Sequence, residues 1–365
     1  IVYVETIVEA VDKLVVFLNG FSTIFVLKSS WGTGKTQHIF KRAVLERRFS
    51  SILVVTSSNS LNLNLTSILN AYLSELYYQE GVDPPCNHLF HSHLEKNVTL
   101  KQCKKAVCSI QSLHKIDGNA YDLVIIDEFE SVINAFYAEK TFNQSPIQSF
   151  HTLRTILRNA GNIIALDADI SKSKVDLLTS MVSGTVELYK NQTKSFQTVQ
   201  FSIHDGTFLL YARWIVYEAQ QYKLVLPSAS RKKAEWIRNI LCNTVSKENM
   251  IKKHDAPYGI FVKEYYDIIK HKKIAYIDCS GIYVYQTNGE YHVGKEYKND
   301  DVYPNIDAFM QTHQIDIFIY TPTITTGISI NIPHFDKCYS IASSQSVNYL
   351  EFTQMLMRNR IWVEN

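Results

Sequence analysis

Residues 29–36 read SSWGTGKT, between the apolar run IFVLK and the helically spaced QHIFKRAVLERR. Glycines at positions 32 and 34 allow backbone N–H groups to turn inward onto phosphate oxygens. Lys35 is spaced to reach the β- and γ-phosphates of a nucleotide, and Thr36 to ligate magnesium through its hydroxyl. The loop Ser30, Trp31, Gly32, Thr33, Gly34, Lys35 and Thr36 is therefore the candidate cradle for ATP phosphates, reinforced by the positive end of the helix that follows. Trp31 either flanks the nucleotide or contacts a second domain. Ser29 stands where the pattern GxxxxGK[ST] begins with glycine, but it fits the form AxxGxGKT with serine for alanine.

A second chemical cluster is VIIDEFES, residues 124–131. Its apolar lead-in delivers two carboxylates to the C-terminal end of a strand, where α/β sheets bind ligands. Asp127 is predicted to hold magnesium through water, and Glu128 to orient and deprotonate the attacking water. Near the end of the chain, FTQMLMRNR carries Arg358 close to a helix end, either as an arginine finger for the γ-phosphate or as a surface ion pair. The stretch TPTITTGIS, with Thr321, Thr323 and Thr325, presents hydroxyls to nucleic-acid phosphates or forms a plain turn. SSNS, residues 57–60, binds phosphate oxygens, caps the following helix, or does both. Some of the 22 tyrosines are candidates for stacking on bases.

Positioning these groups requires strands with helices between them. Apolar runs of strand type fall at 24–28, 52–56, 107–110, 123–126 and 163–166, with helical patterns at 60–78 and 149–161. Near-continuous apolar strands separated by helices predict a parallel sheet covered on both faces. The pattern restarts with strands at 223–226, 274–278, 315–320 and 337–341. The expected organisation is two tandem α/β domains, 1–194 and 195–365, hinged at the polar stretch 193–202, with a hairpin or long loop inserted at 281–305.

Length bounds this reading: 365 residues suit two domains better than one. Hydrophobic residues make up 46% and charged residues 20%, the composition of a soluble globular chain, and no apolar run approaches ~20 residues, so no membrane partner is expected. A net charge of +2 neither requires nor excludes nucleic acid. Six cysteines without a CxxC pair suit a reducing compartment. The segment from Cys86 to Cys108 holds Cys86, His88, His91, His93, Cys103 and Cys108, and reads as a polar surface loop or, at unfamiliar spacing, a zinc site. The chain begins with Ile1 and is expected to be a segment of a longer polypeptide.

As ordered motifs these residues resemble a superfamily 2 helicase of the herpesvirus origin-binding type. SSWGTGKT is similar to motif I and VIIDEFES to motif II; VVTSSNSLNLNL and SIQSLHKI resemble motifs Ia and Ib; ALDADI stands in the place of motif III. VLPSASRKKAEWI resembles motif IV, IYTPTITTGISI motif V and FTQMLMRNR motif VI. The resemblance implies two RecA-like domains with mainly parallel sheets and a central nucleotide cleft. It implies contacts to the nucleic-acid backbone from Ser57, Ser58, Asn59, Ser112, Ser228 and Arg231, phosphate contact from Gly327, and catalytic roles for Gln354, Arg358 and Arg360. Two departures stand out. Asp167 and Asp169 replace the hydroxyl residues of motif III, and Met357 replaces the motif VI glycine while Arg360 arrives one residue early.

The expected function is an ATP-dependent DNA helicase or translocase in viral DNA replication, using ATP and Mg2+. Its expected partners are single-stranded or partly duplex DNA and other replication proteins, in the host cytoplasm or a viral replication compartment, with oligomerisation open. The competing classes are a nucleotide-gated origin-binding module with weak ATPase and an ATPase motor acting on protein.

Overall fold

The computed structural model describes residues 1–20, 23–30, 32–46, 49–57, 59–79, 81, 89–95, 98–116, 119–137, 146–182, 184–193, 208–242, 269–278, 281–287, 292–297, 302, 305–322, 330–342 and 349–356. It divides into two compact units, Ile1–Val199 and Gln200–Asn365.

The first unit is built on eight strands: β1 Val2–Val4, β2 Ile24–Lys28, β3 Ile52–Thr56, β4 His91–Ser92, β5 Lys105–Ser109, β6 Leu123–Asp127, β7 Asn162–Asp167 and β8 Val186–Asn191. Their order in the sheet is β1-β8-β2-β7-β6-β3-β5-β4, and every pairing is parallel. The central strands are buried along their whole length because successive side chains feed two different cores. Phe25, Leu27, Val54, Ile125 and Ile164 pack on one face. They meet α1 (Ile7–Asn19), the turn after the phosphate loop with α2 (Lys41–Leu45), and α3 (Asn59–Gln79). Ile24, Val26, Val55, Ile126 and Ile163 pack on the other face, under α4 (Phe129–Asn134), α5 (Pro146–Asn159) and α6 (Lys172–Met181). α1 starts where Thr6 accepts the Glu9 N–H at 3.2 Å while the Glu9 carboxylate accepts the Glu5 N–H at 2.8 Å, a variant of the capping box.

The second unit contains β9 Leu224–Pro227, β10 Ile274–Asp278, β11 Gly281–Thr287, β12 His292–Tyr297, β13 Ile317–Tyr320 and β14 Lys337–Cys338, ordered β12-β11-β10-β13-β9-β14. The four strands β10, β13, β9 and β14 are parallel, and β11 and β12 add antiparallel to them. Helices α7 (Phe208–Gln221) and α8 (Arg231–Leu241) cover one face; α9 (Ile306–His313) and α10 (Tyr349–Leu356) cover the other.

Differences from the sequence reading are local. The expected insertion at 281–305 is a hairpin, but it is not set apart from the sheet: β11 pairs with β10 from Ile274↔Tyr285 to Asp278↔Gly281. The helix after the phosphate loop opens with a wider π-type turn over Thr36–Phe40 before α2. Strands β1, β4 and β8 went unread because they are short or only partly apolar. The strand expected at 107–110 runs from Lys105 to Ser109, as Lys105 is itself buried in it. The hinge residues 194–202 lie outside the described residues. Among the described residues no helix is long and apolar enough to cross a membrane.

Candidate active site

A parallel sheet presents all its strand C-termini along one edge, and that edge gathers the chemistry of the first unit. The loop bearing Gly32, Gly34 and Lys35 follows β2, Ser57 follows β3, the turn Ile110–Ile116 follows β5, Asp127 and Glu128 end β6, and Asp167 to Asp169 end β7. Register fixes the neighbours: Lys28 faces Asp167, and Asp127 faces Leu166.

Gly32 and Gly34 both adopt positive φ, 71° and 85°, in the phosphate loop. A Cβ on Gly34 would also lie 2.8 Å from the His38 ring, so the position demands glycine for space as well as backbone. The Lys35 ammonium donates to the carbonyls of Ser29 and, at 3.0 Å, of Ser30. It thus lies inside the loop.

Ser29 has a role that its place in the motif does not suggest. It is 1% exposed, and its hydroxyl accepts from Asn191 Nδ2 at 2.9 Å. Thr33 donates its own hydroxyl proton to the Ser30 carbonyl at 2.8 Å, so across the 2.7 Å contact Ser29 donates to Thr33. Asn191, Ser29, Thr33 and Ser30 form one hydrogen-bonded chain that holds the loop from within. Asn191 was missed in the sequence because β8 is only partly apolar; its signal is a polar residue closing the alternating run VELYKN.

Asp127 is buried, and its carboxylate accepts the Glu128 N–H at 3.2 Å. Glu128 adopts left-handed backbone angles, φ 54° and ψ 54°, at the start of α4, a conformation costing roughly 1–3 kcal/mol for a residue with a side chain. Its Oε2 accepts the Ser57 hydroxyl at 3.3 Å. Ser57, expected only at the nucleic-acid backbone, is thereby joined to motif II, and its carbonyl accepts Gln111 Nε2 at 3.2 Å. Ser112 is half-buried on the same turn as Gln111.

The aspartates that replace the motif III hydroxyls act as braces. Asp167 is 4% exposed and accepts three backbone N–H groups, from Glu130 at 2.7 Å, Ala168 at 2.6 Å and Asp169 at 3.1 Å. Burial raises its pKa against these bonds and the Lys35 charge, which lower it. In return the Glu130 carboxylate accepts the Ser171 N–H and hydroxyl, both at 3.1 Å. Asp169 pairs with Lys28 at 2.5 Å, at the mouth of the phosphate loop. Glu130 and Ser171 carried no distinguishing sequence signal.

A buried polar network joins the end of β3, the first turns of α3 and the end of β5. Thr56 donates to Asn62 Oδ1, Asn62 donates to His93 Nδ1 at 3.0 Å, and His93 Nε2 lies 3.5 Å from Ser109 Oγ. Burial, aided by Lys115, pushes the His93 pKa down to about 4, so the ring is neutral. His91 pairs instead with Glu95 at 2.9 Å, and Cys108 is buried within β5. Cys86 and His88 lie outside the described residues, among which no cluster of three His, Cys, Asp or Glu could hold a metal.

In the second unit Ser228 and Thr321 end the adjacent strands β9 and β13, but both side chains are turned inward. Ser228 is 1% exposed and donates to the Ser230 carbonyl at 2.9 Å; Thr321 is 2% exposed and donates to the Ile277 carbonyl at 3.4 Å. Arg231 opens α8, half-exposed, and its Nε lies 2.8 Å from Glu235 and 3.1 Å from the buried Asp278 carboxylate. The Ile277 carbonyl, within β10, accepts the Thr321 N–H as well, at 3.1 Å, so backbone and side chain of Thr321 turn onto the same acceptor. Trp31, Ser58, Thr323, Thr325, Gly327, Arg358 and Arg360 lie outside the described residues, as do the side chains of Asn59 and Gln354.

The two mainly parallel sheets define a tandem RecA-like fold. The structure aligns over 94% of the chain with the DEAD-box helicase Mss116 bound to ssRNA and UDP-BeF, covering 66% of that chain, with a TM-score of 0.56 and 11% identity. The chain belongs to the origin of replication binding protein family, which it matches over residues 6–211, more than half its length. It is 22% identical over 275 residues to the "Putative helicase/primase complex protein" of African swine fever virus (isolate Warthog/Namibia/Wart80/1980), an alignment covering 74% of this chain and 22% of that protein. It is 26% identical over 203 residues to the replication origin-binding protein of human herpesvirus 6A (strain Uganda-1102), covering 54% of this chain and 23% of that one. The chain thus spans less than a quarter of the length of these two relatives.

Proposed function

We propose that this chain is an ATP-dependent DNA translocase or helicase of superfamily 2 that serves viral DNA replication. The observation that carries the reading is the pairing, on one sheet edge, of the positive-φ phosphate loop bearing Lys35 with the Asp127–Glu128 carboxylates. Positive-φ glycines, a loop-seated lysine and a buried carboxylate at a strand end are the donor set a magnesium nucleotide requires. Thr36 and Asp127 would hold a magnesium ion, which when bound neutralises charge on the phosphates. In this reading Lys35 exchanges its loop carbonyls for β- and γ-phosphate oxygens. Glu128 orients the attacking water and takes its proton. Gln354, Arg358 and Arg360 keep their proposed catalytic roles from the motif match. So do Ser57, Ser58, Asn59, Ser112, Arg231, Thr323 and Thr325 as contacts to single-stranded or partly duplex DNA, whereas the inward-turned side chains of Ser228 and Thr321 are left out of that set.

The family match favours a second reading, an origin-DNA-binding module that hydrolyses ATP poorly. ATP turnover with and without single-stranded DNA separates the two. A motor gains turnover on adding DNA, and loses that gain in Arg358→Ala by on the order of 10³-fold if the arginine is a finger. An origin module shows low turnover, indifferent to single strands, and binds only a specific duplex.

A further inference from the structure

The contact between Ser57 and Glu128 joins a residue expected on nucleic acid to the residue expected to activate water. We propose that Ser57 is a latch on Glu128: its hydroxyl restrains the carboxylate until a nucleic-acid phosphate takes the same proton. This inference rests on the motor reading above and concerns the regulation of that site.

The argument starts from donor capacity. A serine hydroxyl has one proton to donate. That proton is directed to Glu128 Oε2 at 3.3 Å, long for an O–H···O bond and so readily given up to a better acceptor. A nucleic-acid phosphate oxygen brought to ordinary hydrogen-bond distance is such an acceptor: both groups are charged, so the closer and better-aligned one takes the bond. Ser57 is only half-buried, just past the end of β3. Its backbone is not loose. Gln111 holds its carbonyl at 3.2 Å, and the preceding Thr56 is tied to Asn62 at the base of α3. A strand laid along Ser57 and the 110–116 turn would thus act on a defined lever.

On the other side, Glu128 is held on a left-handed backbone between Asp127 and Phe129 of α4, so its main chain has little freedom to follow a new partner. The side chain is the part that can respond. Donation from Ser57 stabilises the carboxylate and weakens it as a base; loss of that donation strengthens it and frees it to turn to water. DNA then raises turnover through a proton shared between two acceptors, with no movement of the sheet required.

The test measures ATP turnover without and with single-stranded DNA for the unaltered chain, Ser57→Ala, Ser57→Thr and Glu128→Gln. Ser57→Ala should raise DNA-free kcat about 2- to 10-fold, the range spanned by one net hydrogen bond, with KM for ATP unchanged and the gain on adding DNA reduced by the same factor. Ser57→Thr, which keeps a hydroxyl, should restore the DNA dependence, and Ser57→Ala combined with Glu128→Gln should be as inactive as Glu128→Gln alone. A DNA-free kcat in Ser57→Ala that is unchanged or lowered overturns the latch while leaving the motor reading standing. Full turnover in Glu128→Gln would overturn the latch by displacing Glu128 as the base, whereas an unaltered chain whose turnover is indifferent to single-stranded DNA would overturn the motor reading itself.

Discussion

The carboxylate of Asp167 accepts the backbone N–H of Glu130 at 2.7 Å, tying the end of β7 to the first turn of α4. Glu130 returns the connection through Ser171, which follows β7. The motif II helix and the motif III turn are therefore clasped from both sides. Asp167→Ala should deprive the half-buried Glu130 and Ala168 and the exposed Asp169 of their N–H acceptor and cost about 0.5–1.5 kcal/mol per hydrogen bond lost, because water can reach these donors. Asp167→Asn keeps a carbonyl oxygen and should cost less. Denaturant unfolding of the two variants checks the order; equal stability of Asp167→Ala and the unaltered chain would refute the clasp.

Asn191 and Ser29 give a second expectation. Ser29→Gly, which restores the usual first residue of the phosphate-loop pattern, should weaken this protein rather than improve it. The buried Asn191 amide loses its acceptor, and Thr33 loses its donor. Stability should fall by about 1–3 kcal/mol and nucleotide affinity with it. Ser29→Thr is the control for a retained hydroxyl. Unfolding curves and nucleotide titrations read both effects.

Lys35 and Glu128 should separate binding from chemistry. Lys35→Ala removes the charge that meets the phosphates in the ground state, so nucleotide binding should weaken. Glu128→Gln removes the base, so turnover should vanish while nucleotide stays bound. Equilibrium binding of a nucleotide beside single-turnover hydrolysis distinguishes them, and wild-type turnover in Glu128→Gln would displace Glu128 from its role.

His93 gives the pH dependence. Its folded pKa lies near 4, against 6.5 for the unperturbed ring, because burial disfavours the charged form. Between these values the unfolded chain binds a proton that the folded chain does not. Its contribution to stability is therefore complete above about pH 6.5 and is lost as pH falls through about 4, by roughly 3 kcal/mol in all. His93→Gln should flatten that part of the stability profile measured by urea unfolding from pH 7 to pH 4. An unchanged slope would mean that other groups carry the acid sensitivity.

Much of the candidate site's local geometry was legible in the sequence because it depends on contiguous residues. A phosphate loop is a local backbone shape. Gly32 and Gly34 encode its positive φ angles, the apolar run before it encodes a buried strand, and Lys35 and Thr36 follow at fixed spacing. The same holds for the Asp127–Glu128 pair at the end of LVIID, and for β2, β3 and β10, whose bounds the apolar runs mark to the residue. Only the tertiary structure decided the partners. Strand order sets β7 between β2 and β6, which lets Asp167 cap α4 and Asp169 reach Lys28. It brings Asn191 to Ser29 across 162 positions of sequence, and Ser57 to Glu128 across 71. It also turns Ser228 and Thr321 inward, where residue type alone had suggested outward contact. The physical reason is that a hydrogen bond between distant residues leaves no periodicity in either segment: one polar side chain at a strand end looks the same whether its partner is water, phosphate or another strand, until the sheet is assembled.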